Sequence, residues 1–411
     1  MGSLAALLMK TALIRKARRS EDMSKAGIRK LFGTDGIRGI AGESPLDAKT
    51  IYATGLALGH SLRGKAEPKV LLGRDTRESS PGIAATIAAA LRETGVRVES
   101  AGVVPTPAVA FLARTHGFDA GVVISASHNP WRDNGIKLFG PDGFKLPDAT
   151  ELAMENEIVR HAEEAEVPDA KELPPIEDNS ALKEHYIQFL MDCVPGLSLQ
   201  GLRMVADCAN GAAAAVAPEL FAKLGARIPD EVAVLNVAPN GRNINEDCGA
   251  LHPERVAAEV QRRGAPMGVT FDGDADRCML AGAHGNVING DAILLMAGRD
   301  LKTRGLLTAL VVLDLVARTR KTVDELIGDL KVFPQVIVNV KVREKKPLEG
   351  IPAVADRIHA AEEELRDSGR VVIRYSGTEA LARVMIEAES QEAMRRHADA
   401  IADAIRAELG V

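Results

Sequence analysis

Aromatic side chains are scarce in this chain. Phe, Tyr and Trp make up 3% of its 411 residues, with one Trp and three Tyr. Stacking of single-stranded nucleic acid needs aromatic platforms, so that class of binder is set aside. The cores must instead be built from Ala, Val, Leu and Ile. Positive charge is not in excess: 51 Lys and Arg stand against 57 Asp and Glu, a net charge of −6. That argues against a general nucleic-acid binder while leaving room for a local basic pocket. The four cysteines, Cys193, Cys208, Cys248 and Cys278, are scattered and form no CxxC pair. Free thiols in a reducing cytoplasm are the simple reading. No apolar run approaches the ~20 residues of a membrane span. Neither nucleic acid nor a membrane is expected as a partner, and the expected localisation is cytoplasmic.

What is present looks globular. Hydrophobic residues are 46% and charged residues 26%, near the average for folded domains. The length suggests two to four domains. Residues 1–29 read as an N-terminal extension. An apolar stretch, Leu4 to Met9, precedes Lys10, Arg15, Lys16, Arg18 and Arg19, whereas a signal peptide puts its positive charge first. Met23 is an alternative start, and a short membrane-surface helix is the weaker alternative.

From Lys30 onward, short apolar runs alternate with amphipathic stretches. Lys69–Gly73 predicts a buried strand, and Ser80-Pro81 opens a helix with Ser80 as its cap. Val96–Val104 predicts a strand, Pro105–His116 a helix and Gly121–Ile124 a strand. Region 150–180 reads as a charged surface helix leading to a linker. A second unit follows: strand Leu202–Ala206, helix Gly211–Leu224, strand Val232–Val237, helix Pro253–Arg263, strand Gly268–Phe271 and helix Asp291–Arg304. Near the C-terminus, Val336, Val338, Val340 and Val342 alternate as in a half-buried strand. Ile351, Val354, Ile358, Ala361 and Leu365 form a helical stripe, Val371–Ile373 and Ala382–Ile386 predict strands, and Met394, Ala398, Ile401, Ile405 and Leu409 form a last helical face. The class is α/β, with sheets covered by helices on both faces and a small C-terminal α+β domain.

Polar loops carrying Gly or Pro recur at strand ends, where open α/β sheets place ligands. They are Gly73–Arg77, Ser125–Pro130, Asp207–Gly211, Asp272–Arg277 and Arg374–Glu379. In Asp272-Gly-Asp-Ala-Asp276 three carboxylates at i, i+2 and i+4 can wrap one Mg²⁺ or Ca²⁺. An EF-hand would need Gly and Glu where Arg277 and Ala283 stand. A solvated acidic turn is the bland alternative, but delivery by a buried strand favours a metal. Arg277 beside it suits a phosphate. In Ser125-Ala-Ser-His-Asn-Pro130 the alternatives are a plain turn and a nucleophilic or phosphate-carrying Ser127 with His128 beside it. Lys137, in Asn134-Gly-Ile-Lys137, can act as acid or base or hold a phosphoryl group. Arg374-Tyr-Ser-Gly-Thr-Glu379 offers a guanidinium, hydroxyls and backbone N–H groups for a phosphate, with Arg383 near. Phe32-Gly-Thr-Asp-Gly-Ile-Arg-Gly39 reads as a turn or as a close approach to a phosphate.

Together Phe32–Gly39, Ser125–Pro130, Asp272–Arg277 and Arg374–Glu379, in this chain order, resemble the signature loops of the α-D-phosphohexomutases. Asn243-Ile-Asn-Glu-Asp-Cys-Gly249, Ser125-Ala-Ser127 and Gly377, where phosphomannomutases tend to have Asn, resemble the bacterial phosphoglucosamine mutase branch. The resemblance implies a multidomain fold of three related α/β units with mixed sheets and a C-terminal α+β domain. On it the chain divides into residues 30–172 with the phosphoserine loop, 173–280 with the metal loop, 281–330 as a truncated third unit, and 331–411 with the phosphate-binding loop. It implies a phosphorylated Ser127 that converts glucosamine 6-phosphate to glucosamine 1-phosphate through a 1,6-bisphosphate, which also serves as activator. Mg²⁺ would be held by Asp272, Asp274, Asp276 and a phosphate oxygen on Ser127. By the same match Lys137 is the acid/base supported by His128, and Arg38 and Arg277 line the site. Arg374, Ser376, Gly377, Thr378 and Arg383 would hold the phosphate not being transferred. The implied partner is a small phosphosugar, and a homodimer is the family's common assembly.

Two departures from the family are visible. Its third domain carries a Gly-Glu-x-Ser-Gly-His loop that grips sugar hydroxyls, and this sequence lacks it. Only 40 residues run from Asp291 to Leu330, against roughly 100 for a domain, and Gly305-Leu306 reads as a junction left by an internal deletion. Impaired turnover is therefore expected. The alternatives are a degenerate phosphosugar- or metal-binding relative, a slow phosphatase-like leak, or a hexose substrate as in phosphomannomutase or phosphoglucomutase. Ala380 stands where the family usually has Pro, which loosens the phosphate loop modestly.

Overall fold

The computed structural model describes residues 31–288 apart from 34–35, 165, 169–172 and 175. It also describes scattered positions between 310 and 325, and residues 333–410 apart from 377–379. The expected N-terminal extension, the helix expected at Asp291–Arg304 and most of 281–330 lie outside the described residues. The chain divides into two compact units, Met1–Gly328 and Asp329–Val411.

The first unit holds two sheets. One is ordered β1-β2-β6-β5-β3-β4, built from Phe32–Gly33 (β1), Gly36–Ile40 (β2), Lys69–Arg74 (β3), Arg97–Val103 (β4), Ala120–Ile124 (β5) and Asp133–Phe139 (β6). Strand β3 runs parallel to β4 and β5, while β6 is antiparallel to β5 and β2. All five residues of β5 are buried, as expected of a strand covered on both faces. The other sheet is ordered β11-β10-β9-β7-β8, built from Met204–Asp207 (β7), Val232–Leu235 (β8), Met267–Phe271 (β9), Cys278–Gly282 (β10) and Val287–Ile288 (β11). Its parallel centre is β8-β7-β9. Helices Ala48–Ser61 (α1), Ser80–Glu93 (α2) and Thr106–Thr115 (α3) belong with the first sheet, and Asp47 caps α1 by accepting from the Thr50 N–H at 3.1 Å. The core is aliphatic, as the composition requires: Ile37, Leu58, Val70, Leu72, Ile87, Leu91, Val122, Ile124 and Ile136 are all buried in one cluster.

The structure corrects three local expectations. Ser80 does not cap α2. Ser79 precedes the helix, and the Ser80 hydroxyl donates to Asp75 Oδ1 at 2.9 Å. Residues 211–224 do not form one helix. A 3₁₀ turn, Ala212–Ala215, precedes a helix at Ala217–Lys223 (α4), because Pro218 has no N–H to continue the ladder. The Phe32–Gly39 stretch, rich in Gly, is not a turn alone. It forms β1 and most of β2, and Ile37 pairs with Ile136.

The second unit is a three-stranded antiparallel sheet with the order β12-β14-β13 and two helices. Its elements are Gln335–Lys341 (β12), Pro352–Leu365 (α5), Gly369–Tyr375 (β13), Leu381–Ala388 (β14) and Gln391–Leu409 (α6). The helical face expected from Met394 to Leu409 is the buried one, and it packs with Val354, Ala361 and Leu365 of α5 over Ala382, Val384 and Ile386. The Ser390 hydroxyl caps α6, accepting from the Ala393 N–H at 3.2 Å.

Candidate active site

The carboxyl ends of β3, β5, β7 and β9 deliver four of the polar loops to one place in the first unit. The Ser127 hydroxyl, after β5, donates to Asp272 Oδ2, after β9, at 2.7 Å. It accepts from Arg277 Nη2 at 2.7 Å. Two glycines make this approach possible. A Cβ on Gly273 would lie 2.5 Å from the Ser127 carbonyl oxygen, and one on Gly211 would lie 2.3 Å from the Gly273 carbonyl oxygen. Only a residue without a Cβ fits either position. Ser127 has φ +55, a left-handed conformation that costs a non-glycine about 1–2 kcal/mol. Its N–H is fixed by donation to Ser125 Oγ at 2.9 Å.

Asp272, Asp274 and Asp276 can each offer an oxygen within 4.8 Å of the others. Burial raises the Asp276 carboxyl to about 7, helped by the charges of Asp274 and Asp272. Burial and Asp274 also push Asp272 up, against the pull of Arg277. Asp274 is buried as well. There the charge and hydrogen bond of Lys137, with a hydrogen bond from Thr106, outweigh burial and hold the carboxyl at about 2. Lys137 Nζ donates to Asp274 Oδ2 at 2.8 Å, and Thr106 Oγ1 donates to the same oxygen at 2.6 Å. The second oxygen, Asp274 Oδ1, is buried and accepts nothing among the described residues. An orphaned carboxylate oxygen in a crowd of anions is costly. Three carboxylates that each offer one hard oxygen donor, with an oxygen of Asp274 left open, fit a divalent cation such as Mg²⁺.

His128 completes the first group of expected residues. Its Nδ1 accepts from Arg277 Nη2 at 2.5 Å and lies 3.5 Å from Ser127 Oγ. Burial, then the charges of Arg277 and Arg38, push its pKa down to about 4, so the ring is neutral at neutral pH. Arg38, on β2, contributes through this positive field. Ser127, His128, Lys137, Arg38, Arg277 and the three aspartates are thus brought together.

The second unit carries the remaining expected residues. Arg374 on β13 stands directly opposite Arg383 on β14. Like charges opposed across a sheet are unfavourable unless an anion offsets them. The Ser376 N–H donates to the Leu381 carbonyl at 2.8 Å, and Lys345 Nζ donates to the Ser376 carbonyl at 2.6 Å. Gly377 and Thr378 lie outside the described residues.

Several residues at the first site carry no individual role in the sequence reading. Thr106 holds Asp274 by side chain and by backbone, its N–H donating to the Asp274 carbonyl at 2.9 Å. Arg77 and Asn245 reach the serine loop. Trp131, just after that loop, is half-buried with the Arg242 guanidinium 4.9 Å from its ring. Arg242 in turn donates to Glu78 at 2.6 Å. A polar or charged residue in a strand-end loop was the available signal for Arg77. Thr106 gave none beyond its place after Pro105.

The phosphoglucomutase/phosphomannomutase family matches in three parts. Its alpha/beta/alpha domain I covers residues 29–165, domain II covers 184–285, and the C-terminal domain covers 337–404. The chain is 45% identical to the phosphoglucosamine mutase of Koribacter versatilis, over 93% of its own length and 98% of that protein's. The chain belongs to this phosphohexomutase family. A second relative, the phosphoglucosamine mutase of Solibacter usitatus, is 41% identical over 92% of this chain and 99% of its own. Among solved structures, a phosphoglucomutase/phosphomannomutase family protein from Burkholderia thailandensis shares the fold. It has a TM-score of 0.71 at 23% identity, covering 93% of this chain and 99% of that one. The N-acetylphosphoglucosamine mutase of Aspergillus fumigatus, solved with GlcNAc-6P and magnesium, gives a TM-score of 0.58 at 17% identity over 94% and 98% of the two chains. The phosphohexomutase alignment also measures a deficit. It spans 458 positions, whereas 93% of 411 residues is about 382, so about 76 aligned positions have no residue in this chain.

Proposed function

We propose that the chain is a Mg²⁺-dependent phosphohexosamine mutase that interconverts glucosamine 6-phosphate and glucosamine 1-phosphate, with turnover reduced by a shortened third unit. The observation that carries the reading is the Ser127 hydroxyl, held between Asp272 Oδ2 and Arg277 Nη2 beside the three aspartates. The mutase relatives at 45% and 41% identity support the substrate.

In this reading Ser127 carries a phosphoryl group. A sugar hydroxyl attacks the phosphorus, the bond to Ser127 Oγ breaks, and a 1,6-bisphosphate forms. Lys137, once it has released its own proton to solvent, accepts the hydroxyl proton as the attacking oxygen bonds to phosphorus. Arg277, already donating to Ser127 Oγ, stabilises the negative charge that develops on that oxygen as it leaves. His128, neutral and bonded through Nδ1 to Arg277, keeps the guanidinium turned toward the serine. The bisphosphate reorients, its other phosphoryl group returns to Ser127, and the proton goes back to the sugar oxygen. Asp272, Asp274 and Asp276 would hold Mg²⁺, which supplies charge neutralisation at the transferring phosphoryl oxygens. Arg374, Ser376, Gly377, Thr378 and Arg383 are assigned the phosphate that is not transferred, on the opposed arginines and the family's loop. The working partner is a phosphosugar, and the assembly is taken as a homodimer.

The deficit of about 76 aligned positions favours a second reading, a relative that binds phosphosugar or metal without turnover. Three measurements separate the two: intact mass for a phosphate on Ser127, its loss in Ser127→Ala, and coupled turnover of glucosamine 6-phosphate. A phosphate on Ser127 with slow turnover supports the impaired mutase. Turnover at the rate of full-length relatives overturns the impairment. No phosphate and no turnover, with a hexose phosphate tried alongside, overturns the mutase.

A further inference from the structure

Two motifs stand out in the sequence without a role in the chemistry above, Gly73–Arg77 and Asn243–Gly249. Both end on the loop that carries the reactive serine. Arg77 Nη2 donates to the carbonyl oxygens of Ser127 at 3.2 Å and Asn129 at 2.6 Å. Asn245 Nδ2 donates to the same two oxygens, at 2.9 and 3.2 Å. Arg77 follows β3 of the first sheet, and Asn245 belongs to the segment between β8 and β9 of the second. Each donor is itself anchored. The Arg77 side chain is fully buried and ion-paired with Asp75, whose Oδ1 accepts from the Arg77 N–H at 3.0 Å. The Asn245 N–H donates to the Ala209 carbonyl at 3.0 Å. A Cβ on Gly273 would lie 2.8 Å from Asn245 Nδ2, so the metal loop also packs against this amide.

The geometry determines where the serine points. The peptide plane before Ser127 is fixed by its N–H on Ser125 Oγ. The plane after it is fixed by a carbonyl that takes two side-chain donors. With both planes held, the Cα–Cβ direction of Ser127 is set, and the hydroxyl has only its side-chain rotation left. We propose that Arg77 and Asn245 form a clamp that aims Ser127 at Asp272 and Arg277, and so act as positioning residues for phosphoryl transfer. Neither side chain contacts the reacting atoms. The clamp draws one donor from each sheet, so the serine is aimed only while the two sheets keep their register.

The kinetic part of this inference rests on the mutase reading; the structural part does not. The test uses the full chain with Asn245→Gly, which removes the amide at a position whose φ of +57 suits glycine. Asn245→Asp keeps the shape but replaces the one amide nitrogen that donates to both carbonyls with a carboxylate oxygen, and it carries the comparison if the glycine variant does not fold. Amide hydrogen exchange over 125–130 and steady-state kinetics are read together. The clamp predicts exchange at the Ser127 and Asn129 amides faster by about tenfold, with β5 itself unchanged. It predicts kcat lower by about 10–100-fold with KM for the phosphosugar within about threefold. The Asp variant is the more affected. Unchanged exchange overturns the clamp, as does faster exchange with an unchanged kcat or a loss confined to KM. Where the unsubstituted chain shows no turnover, the mutase reading falls, and exchange alone supports or overturns the clamp.

Discussion

Lys137 Nζ lies 2.8 Å from Asp274 Oδ2, and both side chains are sealed from solvent. The lysine projects from β6 of one sheet and the aspartate from the loop after β9 of the other. The pair therefore ties a catalytic candidate to a metal-ligand candidate across two sheets. Removing one partner of a buried pair strands the other charge, at a cost of about 3–5 kcal/mol. Lys137→Met is expected to lower unfolding stability by that order and kcat by about 10²–10⁴-fold. Lys137→Arg keeps the charge but loses the acid/base group. It is expected to recover much of the stability in a urea titration while kcat stays low. Equal recovery of both would remove Lys137 from the chemistry.

Asp274 Oδ1, buried and without a hydrogen bond among the described residues, predicts a gain on metal addition. Mg²⁺ at a hundred times its dissociation constant stabilises a protein by about 2.7 kcal/mol if it binds only the folded state. Protein stripped with EDTA is expected to melt at a higher temperature when Mg²⁺ is restored. Asp274→Asn is expected to abolish most of that rise. The same rise in the variant would place the cation elsewhere.

Gly273→Ala tests the contact between the serine loop and the metal loop. The new Cβ would sit 2.5 Å from the Ser127 carbonyl oxygen, and backbone must move to admit it. A loss of about 1–3 kcal/mol is expected from the overpacking. Mg²⁺-induced stabilisation should fall with it, because the loop that moves carries the aspartates. A melting temperature equal to that of the unsubstituted chain would contradict the close approach.

Tyr52 gives a pH dependence away from the site. Its phenol is buried on α1 and donates to Glu93. Burial, then the hydrogen bond and charge of Glu93, raises its pKa from 10.0 to about 12. The folded state holds this proton more tightly than the unfolded one. The contribution to stability is therefore complete below pH 10 and lost as pH rises through about 12. Tyr52→Phe is expected to decline less steeply over that window in alkaline denaturation, and to lack the phenolate absorbance that appears near its upper end. An unchanged absorbance titration would refute the assignment.

Much of this site is legible in the sequence because its chemistry is concentrated in short loops. Asp272–Arg277 carries all three carboxylates and the guanidinium within six residues, and a buried strand announces it. The helical face from Met394 to Leu409 is equally plain, since one period governs it. What escapes is what depends on distant partners. Thr106 looks like any threonine until Asp274 arrives beside it from the other sheet. Ser80 reads as a cap because Pro follows, yet Asp75 takes its hydroxyl. The strand β2 escapes because Gly36 and Gly39 interrupt the alternation that Ile37 and Ile40 would show. Pro218 is plain in the sequence, but the apolar run around it reads as one helix where the missing N–H imposes two segments.

The chain has a single tryptophan, and it is Trp131, one residue beyond the serine loop and under the Arg242 guanidinium. Its intrinsic fluorescence therefore comes from one place. Arg242 belongs to the segment between the strands of the second sheet and Trp131 to the first, so the emission reports their contact without a label. Phosphorylation, cation binding or displacement of the loop can each be followed as a change in the intensity or wavelength of that one emitter, free of background from any other indole.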